Sequence, residues 1–208
     1  MVSVCLFAAF ALWTVAVCFV DVREIGPQNS SVGLAGINGI VRRLTGVHFN
    51  LYYITDWLGL VPIFVCMGFG ILGLVQWIRR KRICKVDFDI LVLGGFYVVI
   101  IAAYLLFENL VINYRPVLIN GHLEASYPSS TTMLVMCVMP TSIMQLGSRI
   151  KNNILRNIFT VTIVAFIAFM VIGRLISGVH WFTDIVGGAL LSAGLVVMYD
   201  SVVRHKNN

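Results

Sequence analysis

The sequence predicts an all-α integral membrane protein, built as a bundle of six transmembrane helices. The first observation is composition: 59% of the 208 residues are hydrophobic, 12% are charged, and the mean hydropathy is +0.93. Soluble domains contain about 25% charged residues, so this chain has too little charge to cover a globule in water. The second observation is that the apolar residues form long runs. Because backbone polar groups in lipid have to be hydrogen-bonded within the protein, such runs favour helices.

Six runs meet the length requirement for a membrane span, which is about 20 predominantly apolar residues. They cover residues 2–20, 54–78, 88–107, 130–147, 156–174 and 181–203. The first run has no basic segment before it and no Ala-x-Ala site, so we interpret it as an uncleaved span rather than a signal peptide. We expect residues 1–208 to form a single membrane-embedded domain.

The basic residues divide unequally between the two sides of this bundle. Ten of the 15 lie in the connections after spans two and four and after span six: Arg79, Arg80, Lys81, Arg82, Lys85, Arg149, Lys151, Arg156, Arg204 and Lys206. By the positive-inside rule these connections and both termini are cytoplasmic, most simply at the cell membrane. The connections 21–53, 108–129 and 175–180 then lie outside. This distribution accounts for the net charge of +6 without a nucleic-acid partner.

The middle of the first outer connection has a mixed character. Residues 33–49 combine apolar side chains with Arg42 and Arg43 and several glycines. Two interpretations stay open: a segment that lies in the headgroup plane of the membrane, or an ordinary loop.

Ionisable residues at the outer ends of the spans are the candidates for function, since charges near lipid are costly and are kept for a purpose. Two separate regions of the chain supply them: Glu108, Arg115, His122, Glu124, Arg174, His180 and Asp184. We expect the folded bundle to bring both regions together.

The C-terminal region pairs an imidazole with a carboxylate. His180 and Asp184 are four residues apart, which places both on one face of a helix. The carboxylate can fix the tautomer of the ring, leaving the other ring nitrogen free to act as a base or nucleophile. Arg174, at the end of span five, offers a planar guanidinium suited to phosphate.

The other region prepares a second anion contact. Arg115 precedes Pro116, which favours an extended turn, and Pro128 precedes Ser129 and Ser130 where span four begins. The free backbone N–H groups of a helix N-terminus bind anions. Two arginines, a helix N-terminus and a His–Asp pair together indicate a pocket for phosphoryl transfer.

These residues resemble the motifs of the type 2 phosphatidic acid phosphatase (PAP2) superfamily, K-x6-R-P, P-S-G-H and S-R-x5-H-x3-D. Residues Gly173–Asp184 match the third motif except that Gly173 replaces its serine. Arg115-Pro116 matches the end of the first motif, and Pro128-Ser129 matches the start of the second. The motifs occur in the family's order.

The resemblance implies a role for each matched residue. His180 would be the nucleophile that forms a phosphohistidine, and Asp184 would orient it. The phosphoryl oxygens would be held by three side chains and one backbone N–H group, those of Arg115, Ser129, Arg174 and Ser130. No metal or other cofactor is expected, because arginines supply the positive charge and the sequence has no acidic cluster to hold Mg²⁺.

The sequence departs from the family at two positions. Glu108 stands where the family has its phosphate-binding lysine, and Thr131 stands where the second motif has the histidine that protonates the leaving oxygen. His122 and Glu124 are nearby candidates for a substitute acid, although a solvated loop residue is the simpler interpretation of each, and more so of Glu124.

The resulting prediction is an integral membrane lipid phosphatase whose site faces outward. Its substrate is expected to be a lipid phosphate or pyrophosphate, with polyprenyl pyrophosphate favoured because a phosphate leaving group does not need the missing acid. Two alternatives stay open. One is a weak or inactive relative that binds phospholipid headgroups, suggested by Glu108 and Thr131. The other is a phosphotransferase in which a lipid or sugar hydroxyl replaces water.

Overall fold

The computed structural model describes residues 1–207, which form α-helices joined by shorter connections. The helices are α1 Val2–Phe19, α2 Ala35–Thr45, α3 Phe49–Leu58, α4 Leu60–Arg80, α5 Phe88–Asn109, α6 Ser130–Arg149, α7 Asn153–Ile176 and α8 Phe182–Asn207. Short 3-10 turns cover Pro27–Asn29 and Ile83–Lys85. The predicted all-α membrane fold is confirmed.

Within residues 1–207, five segments are long and apolar enough to cross a membrane: Val2–Phe19, Phe49–Arg80, Phe88–Asn109, Asn153–Ile176 and Phe182–Lys206. The remaining predicted span corresponds to α6, which has 20 residues but a more polar composition. The reason is its position, since α6 packs against α4, α5, α7 and α8 and buries Thr141, Ser142 and Gln145. A helix that faces protein on most sides can carry polar residues that lipid would exclude.

The second span begins earlier than its hydropathy indicates. Its predicted start was residue 54, whereas the helical segment starts at Phe49 because α3 leads directly into α4. Gly59, between them, has φ −60° and ψ −17°, so the backbone stays helical. The polar residues Asn50, Thr55 and Asp56 hide this extension from a hydropathy reading.

The middle of the connection 21–53 folds as helix α2, and its position in the headgroup plane stays a prediction. Its side chain Asn38 is buried and bonds to Thr183 at the start of α8, with Asn38 Nδ2 3.0 Å from Thr183 Oγ1. Ile37, Ile40 and Leu44 are exposed on another side of the helix. Helix α2 therefore packs beside the bundle. Its row of Ile37, Ile40 and Leu44 forms an apolar ridge that stays exposed in the described chain.

The bundle core is made by α5, α6 and α8, with α1 packed along α8. Leu93 and Phe96 of α5 join Met133 and Val138 of α6 and Leu195 of α8 in one buried cluster. The N-terminal helix comes close to α8, since a Cβ atom on Gly194 would lie 2.9 Å from the ring of Phe7. Glycine thus permits the two helices to pack closely.

The two ends of the bundle differ in charge. At one end the basic connections meet, with Arg80 Nη1 2.7 Å from Asp87 Oδ1, Arg149 Nη2 2.9 Å from Asp89 Oδ2, and Lys206 Nζ 4.0 Å from the ring centroid of Phe88. The opposite end carries the connection 110–129, which folds back on itself through antiparallel bridges, Tyr114 with Ala125 and Ile119 with His122. The candidate site residues lie at this second end.

Candidate active site

The turn between α7 and α8 sets the position of His180. Gly178 has φ +69°, and a Cβ atom there would lie 2.0 Å from the carbonyl oxygen of Gly46, so only glycine fits. Asp184, in the first turn of α8, accepts a hydrogen bond from the backbone N–H of Trp181 at 2.8 Å. A carboxylate at this place caps the helix and is stabilised by the helix dipole. The turn therefore fixes both His180 and Asp184.

A serine connects the imidazole and the carboxylate. His180 Nδ1 lies 3.1 Å from Ser126 Oγ, and the Ser126 hydroxyl donates to Asp184 Oδ2 in a short hydrogen bond. The direct distance from His180 Nδ1 to Asp184 Oδ2 is 3.7 Å. Because the Ser126 hydroxyl donates its proton to Asp184, its oxygen accepts a hydrogen bond from His180. Nδ1 therefore carries the ring proton, and the lone pair lies on Nε2. Arg115 Nη1 lies 3.2 Å from that Nε2 atom.

The surroundings keep the imidazole neutral. Burial lowers the pKa of His180 well below its ordinary value, and the charges of Arg115 and Arg174 act in the same direction. The folded-state pKa is depressed, so the neutral ring persists to a lower pH than for a free histidine. A neutral ring carries the lone pair that a nucleophile needs.

A polar cavity of about 220 Å³ is lined in part by His180. Its polar lining consists of Glu108, Arg115, Glu124, Ser126, Ser130 and His180. A second cavity of about 520 Å³ is lined mostly by apolar residues of α4 and α5, such as Ile63 and Ile100. Tyr104, Ser130 and Met133 line both cavities. The polar and apolar cavities therefore meet at the N-terminus of α6.

Arg174 is held on one side and free on the other. Its side chain is 2% exposed, its Nη2 atom lies 2.8 Å from Asp56 Oδ1, and it also donates a short hydrogen bond to Thr131 Oγ1. The guanidinium carbon stands 5.1 Å above the ring of Tyr52. Its Nε and Nη1 atoms are buried and have no hydrogen-bond partner in the described chain. Buried donors without a partner are costly, so they suit a ligand that accepts hydrogen bonds.

The two predicted serines have different surroundings. Ser129 is fully buried, and its Oγ caps α6 by accepting from the backbone N–H of Thr132 at 3.4 Å. Its own N–H donates to the carbonyl oxygen of Asp184 at 3.0 Å. Ser130, the first residue of α6, lines the polar cavity. The helix N-terminus thus faces the cavity through Ser130, whereas the Ser129 hydroxyl is engaged within the protein.

The residues that depart from the family also have defined places. Glu108 lines the polar cavity from the end of α5, and Thr131 contacts Arg174. Glu124 lines the cavity with its Oε2 atom 3.0 Å from Arg115 Nε. His122 is exposed at the tip of the hairpin, where its backbone N–H and C=O pair with Ile119, and it does not line this cavity. Of the two candidates for a substitute acid, Glu124 therefore lies at the cavity, and His122 lies outside it.

Sequence reasoning missed Ser126 and Asp56. Nothing in the sequence distinguishes Ser126 from the other serines near Pro128, since its role depends on contacts with α8. Asp56 carried a signal that was overlooked, because a carboxylate at the start of an apolar run is a candidate partner for a buried arginine.

Comparisons with known proteins agree with this architecture. The chain is similar to a transmembrane PAP2 type phosphatidylglycerolphosphate phosphatase from Bacillus subtilis, with 18% sequence identity and a TM-score of 0.65 over 98% of this chain and 96% of that one. At this identity the likeness establishes a shared fold. The comparison with curated proteins found no match. The family model of the PAP2 superfamily matches residues 63–207, which is well over half of the chain. The protein therefore belongs to the PAP2 superfamily.

Proposed function

We propose that this protein is an integral membrane lipid phosphatase that works through a phosphohistidine on Nε2 of His180. Family membership and fold support the general activity. One observation carries the mechanism: a buried imidazole that lines the polar cavity has Nδ1 bound through Ser126 to Asp184, while Nε2 lies 3.2 Å from Arg115 Nη1. This arrangement activates one ring nitrogen and holds the ring in place.

In the first step the Nε2 lone pair of His180 attacks phosphorus, and the P–O bond to the lipid breaks. The bonding electrons leave with the lipid oxygen, and the ring becomes positively charged. The Nδ1 proton stays hydrogen-bonded to Ser126, and Asp184 stabilises the cation through that hydroxyl. In the second step water attacks the phosphohistidine, the P–N bond breaks, and the electron pair returns to Nε2. The water proton leaves with the phosphate product or with solvent.

Arg115, Arg174 and the N-terminus of α6 would hold the phosphoryl oxygens. Arg174 supports this assignment with two buried N–H groups that lack a partner, and Ser130 begins α6 at the cavity. Positive groups fixed around a phosphoryl group stabilise the charge that develops in the transition state. Ser129 contributes by capping α6 and is the weakest of the proposed phosphate ligands, since it is fully buried and does not line the polar cavity.

The lipid would place its phosphate beside His180 and its hydrocarbon in the apolar cavity. The meeting of the two cavities at Ser130 fits an amphiphile that enters from the membrane. The charge of the opposite end supports an orientation with the termini in the cytoplasm and the site outside. Of the expected substrates, polyprenyl pyrophosphate is favoured, because the leaving phosphate has a pKa of about 6 and departs without a protein acid.

The test is phosphate release by the purified protein in detergent over a panel of lipid phosphates and pyrophosphates. We expect turnover that His180→Ala abolishes, together with a phosphoenzyme that is labile to acid, as phosphohistidine is. His122→Ala serves as the matched control, because it removes an exposed histidine outside the cavity. Equal turnover in His180→Ala would rule the mechanism out.

Two alternatives correspond to other results of the same assay. A relative that only binds phospholipid headgroups would bind the lipid but release no phosphate. The replacement of the family's histidine and lysine by Thr131 and Glu108 supports this alternative. A phosphotransferase would release the lipid alcohol faster than inorganic phosphate when a second alcohol is present.

A further inference from the structure

A third cavity lies at the same end of the molecule as His180 but is separate from it. Its volume is about 520 Å³, and the residues that matter are Arg23, Arg42, Arg43, Gly36, Gly39 and Trp181. It shares no lining residue with the cavity at His180. Trp181, which follows His180 in the chain, is buried, and its ring contacts the guanidinium of Arg42.

This cavity carries uncompensated positive charge. Arg23 is paired with Asp21 at 2.7 Å, and Asp21 in turn accepts from the backbone N–H of Gly36 at 2.7 Å. Within residues 1–207, Arg42 and Arg43 have no ion-pair partner, and the Cζ atom of Arg42 lies 5.3 Å from the centre of the Trp181 ring. Two free guanidinium groups and one fixed guanidinium thus converge on the cavity, and guanidinium groups favour phosphate oxygens.

The floor of the cavity is the backbone of α2. Gly36, Gly39 and Arg43 recur at intervals of three and four residues and lie on one side of the helix. A Cβ atom on Gly39 would have nothing within 4 Å, so the space above this residue is open. Glycine inside a helix costs about 1 kcal/mol relative to alanine. Asp21 Oδ2 would lie 3.0 Å from a Cβ atom on Gly36, so the open room above α2 is at Gly39.

An apolar ridge runs beside this floor. Ile37, Ile40 and Leu44 are 42%, 52% and 81% exposed on α2, which lies outside the membrane-spanning segments. A helix with such a ridge and basic residues lies in the headgroup plane of a bilayer. A free inorganic anion would use the arginines only, whereas a phospholipid would use the arginines and the ridge.

We propose that this cavity binds the phosphodiester headgroup of an anionic phospholipid, a bound lipid distinct from the substrate. Its phosphate contacts Arg42 and Arg43, and its acyl chains lie along Ile37, Ile40 and Leu44. The proposal does not depend on the phosphatase activity, because the ligand, the cavity and the readout are all separate from His180.

The test is native mass spectrometry of the full-length protein, stripped of lipid in detergent and titrated with dioleoylphosphatidylglycerol or dioleoylphosphatidylcholine. We expect one phosphatidylglycerol to bind tightly and phosphatidylcholine to bind at least tenfold more weakly. Arg43→Gln should weaken phosphatidylglycerol about tenfold, as the loss of a charge-assisted hydrogen bond does. Gly39→Leu should prevent binding by filling the open space.

The matched controls lie elsewhere in the chain. Arg79→Gln removes an exposed arginine at the opposite end, and Gly68→Leu adds the same side chain at an exposed helical glycine of α4 with open space. Both should bind phosphatidylglycerol like the parent protein. A melting temperature within a few degrees of the parent shows that each variant is folded.

Three results would overturn the proposal. Equal binding of the two phospholipids would show that the headgroup charge is not recognised. An equal loss of phosphatidylglycerol affinity in Arg79→Gln and Arg43→Gln would show that binding depends on the overall charge of the protein and not on this cavity. Competition by glycerol phosphate at the same concentration as phosphatidylglycerol would assign the cavity to a free anion rather than a lipid.

Discussion

At the scale of single residues, the hydroxyl of Ser126 decides how the carboxylate of Asp184 acts on His180. The imidazole and the carboxylate are 3.7 Å apart, and the serine bonds to both of them. Without it, Nδ1–H would lose its partner, and the ring could adopt the other tautomer. Ser126 is therefore a positioning residue in the proposed mechanism.

We expect Ser126→Ala to lower kcat by about 10–100-fold, the effect of losing a hydrogen bond to a charged network, with little change in KM. The measurement is steady-state lipid phosphate hydrolysis. Ser192→Ala is the control, since Ser192 is equally buried but bonds only to backbone carbonyl groups of Met133 and Gly188. An equal loss of kcat in both variants would mean that Ser126 contributes packing only.

A second residue-scale prediction concerns Thr131, which contacts Arg174. Thr131→His would place an imidazole where the family has its acid, and a positioned acid contributes about 10²–10⁴-fold. We expect the gain in kcat/KM to be much larger for a lipid monophosphate than for a prenyl pyrophosphate, whose leaving group needs no proton. Equal gains, or a parent protein that prefers phosphatidate, would show that another group protonates the leaving oxygen. Glu124 is then the candidate, because it lines the cavity.

At the scale of elements, the turn between α7 and α8, which carries the proposed nucleophile, packs against the segment before α3. Gly178 faces the backbone of Gly46, and His48 N–H donates to the Ser177 carbonyl oxygen at 2.9 Å. The connection 21–53 thus holds this turn in place. A change at Gly178 should disturb both elements.

We expect Gly178→Ala to destabilise the protein by about 2–4 kcal/mol, from positive φ and from overlap with Gly46. Gly121→Ala is the matched control, since Gly121 has φ +83° with nothing within 4 Å of a Cβ atom. It should lose only about 1 kcal/mol. Thermal unfolding of both variants in detergent measures the difference, and equal losses would contradict the proposed contact.

The helices were predictable to within a few residues, but the site was predictable only in its outline. Runs of apolar residues mark lipid-facing spans directly, and the third motif places His180 and Asp184 one helical turn apart. The bridge through Ser126 and the pairing of Arg174 with Asp56 depend on contacts between distant parts of the chain. A short stretch of sequence does not indicate which distant residues it will contact in the fold. The direction of His122 likewise depends on a hairpin that hydropathy does not reveal.

At the scale of the whole molecule, the distribution of charge predicts the orientation in the membrane. Cys84 is exposed in a basic connection, and His122 is exposed at the opposite end. In intact cells, a membrane-impermeant maleimide should label His122→Cys and leave Cys84 unlabelled, in a background where Cys18 is replaced by serine. Permeabilised cells should show labelling at both positions. Labelling of Cys84 in intact cells would reverse the orientation.

The packing of α1 against α8 has a consequence for how the protein is made. Trp13 Nε1 donates to the carbonyl oxygen of Thr183 at 3.1 Å, across 170 residues of chain, next to the turn that carries His180. The ribosome delivers the first helix to the membrane long before its partner exists. During that interval α1 can already contact Phe107 of α5 and Tyr127, through Phe10 and Thr14, but its longest contact surface is missing. The proposed site therefore cannot be completed before α8 is made, since a chain truncated before α8 keeps His180 but lacks Asp184.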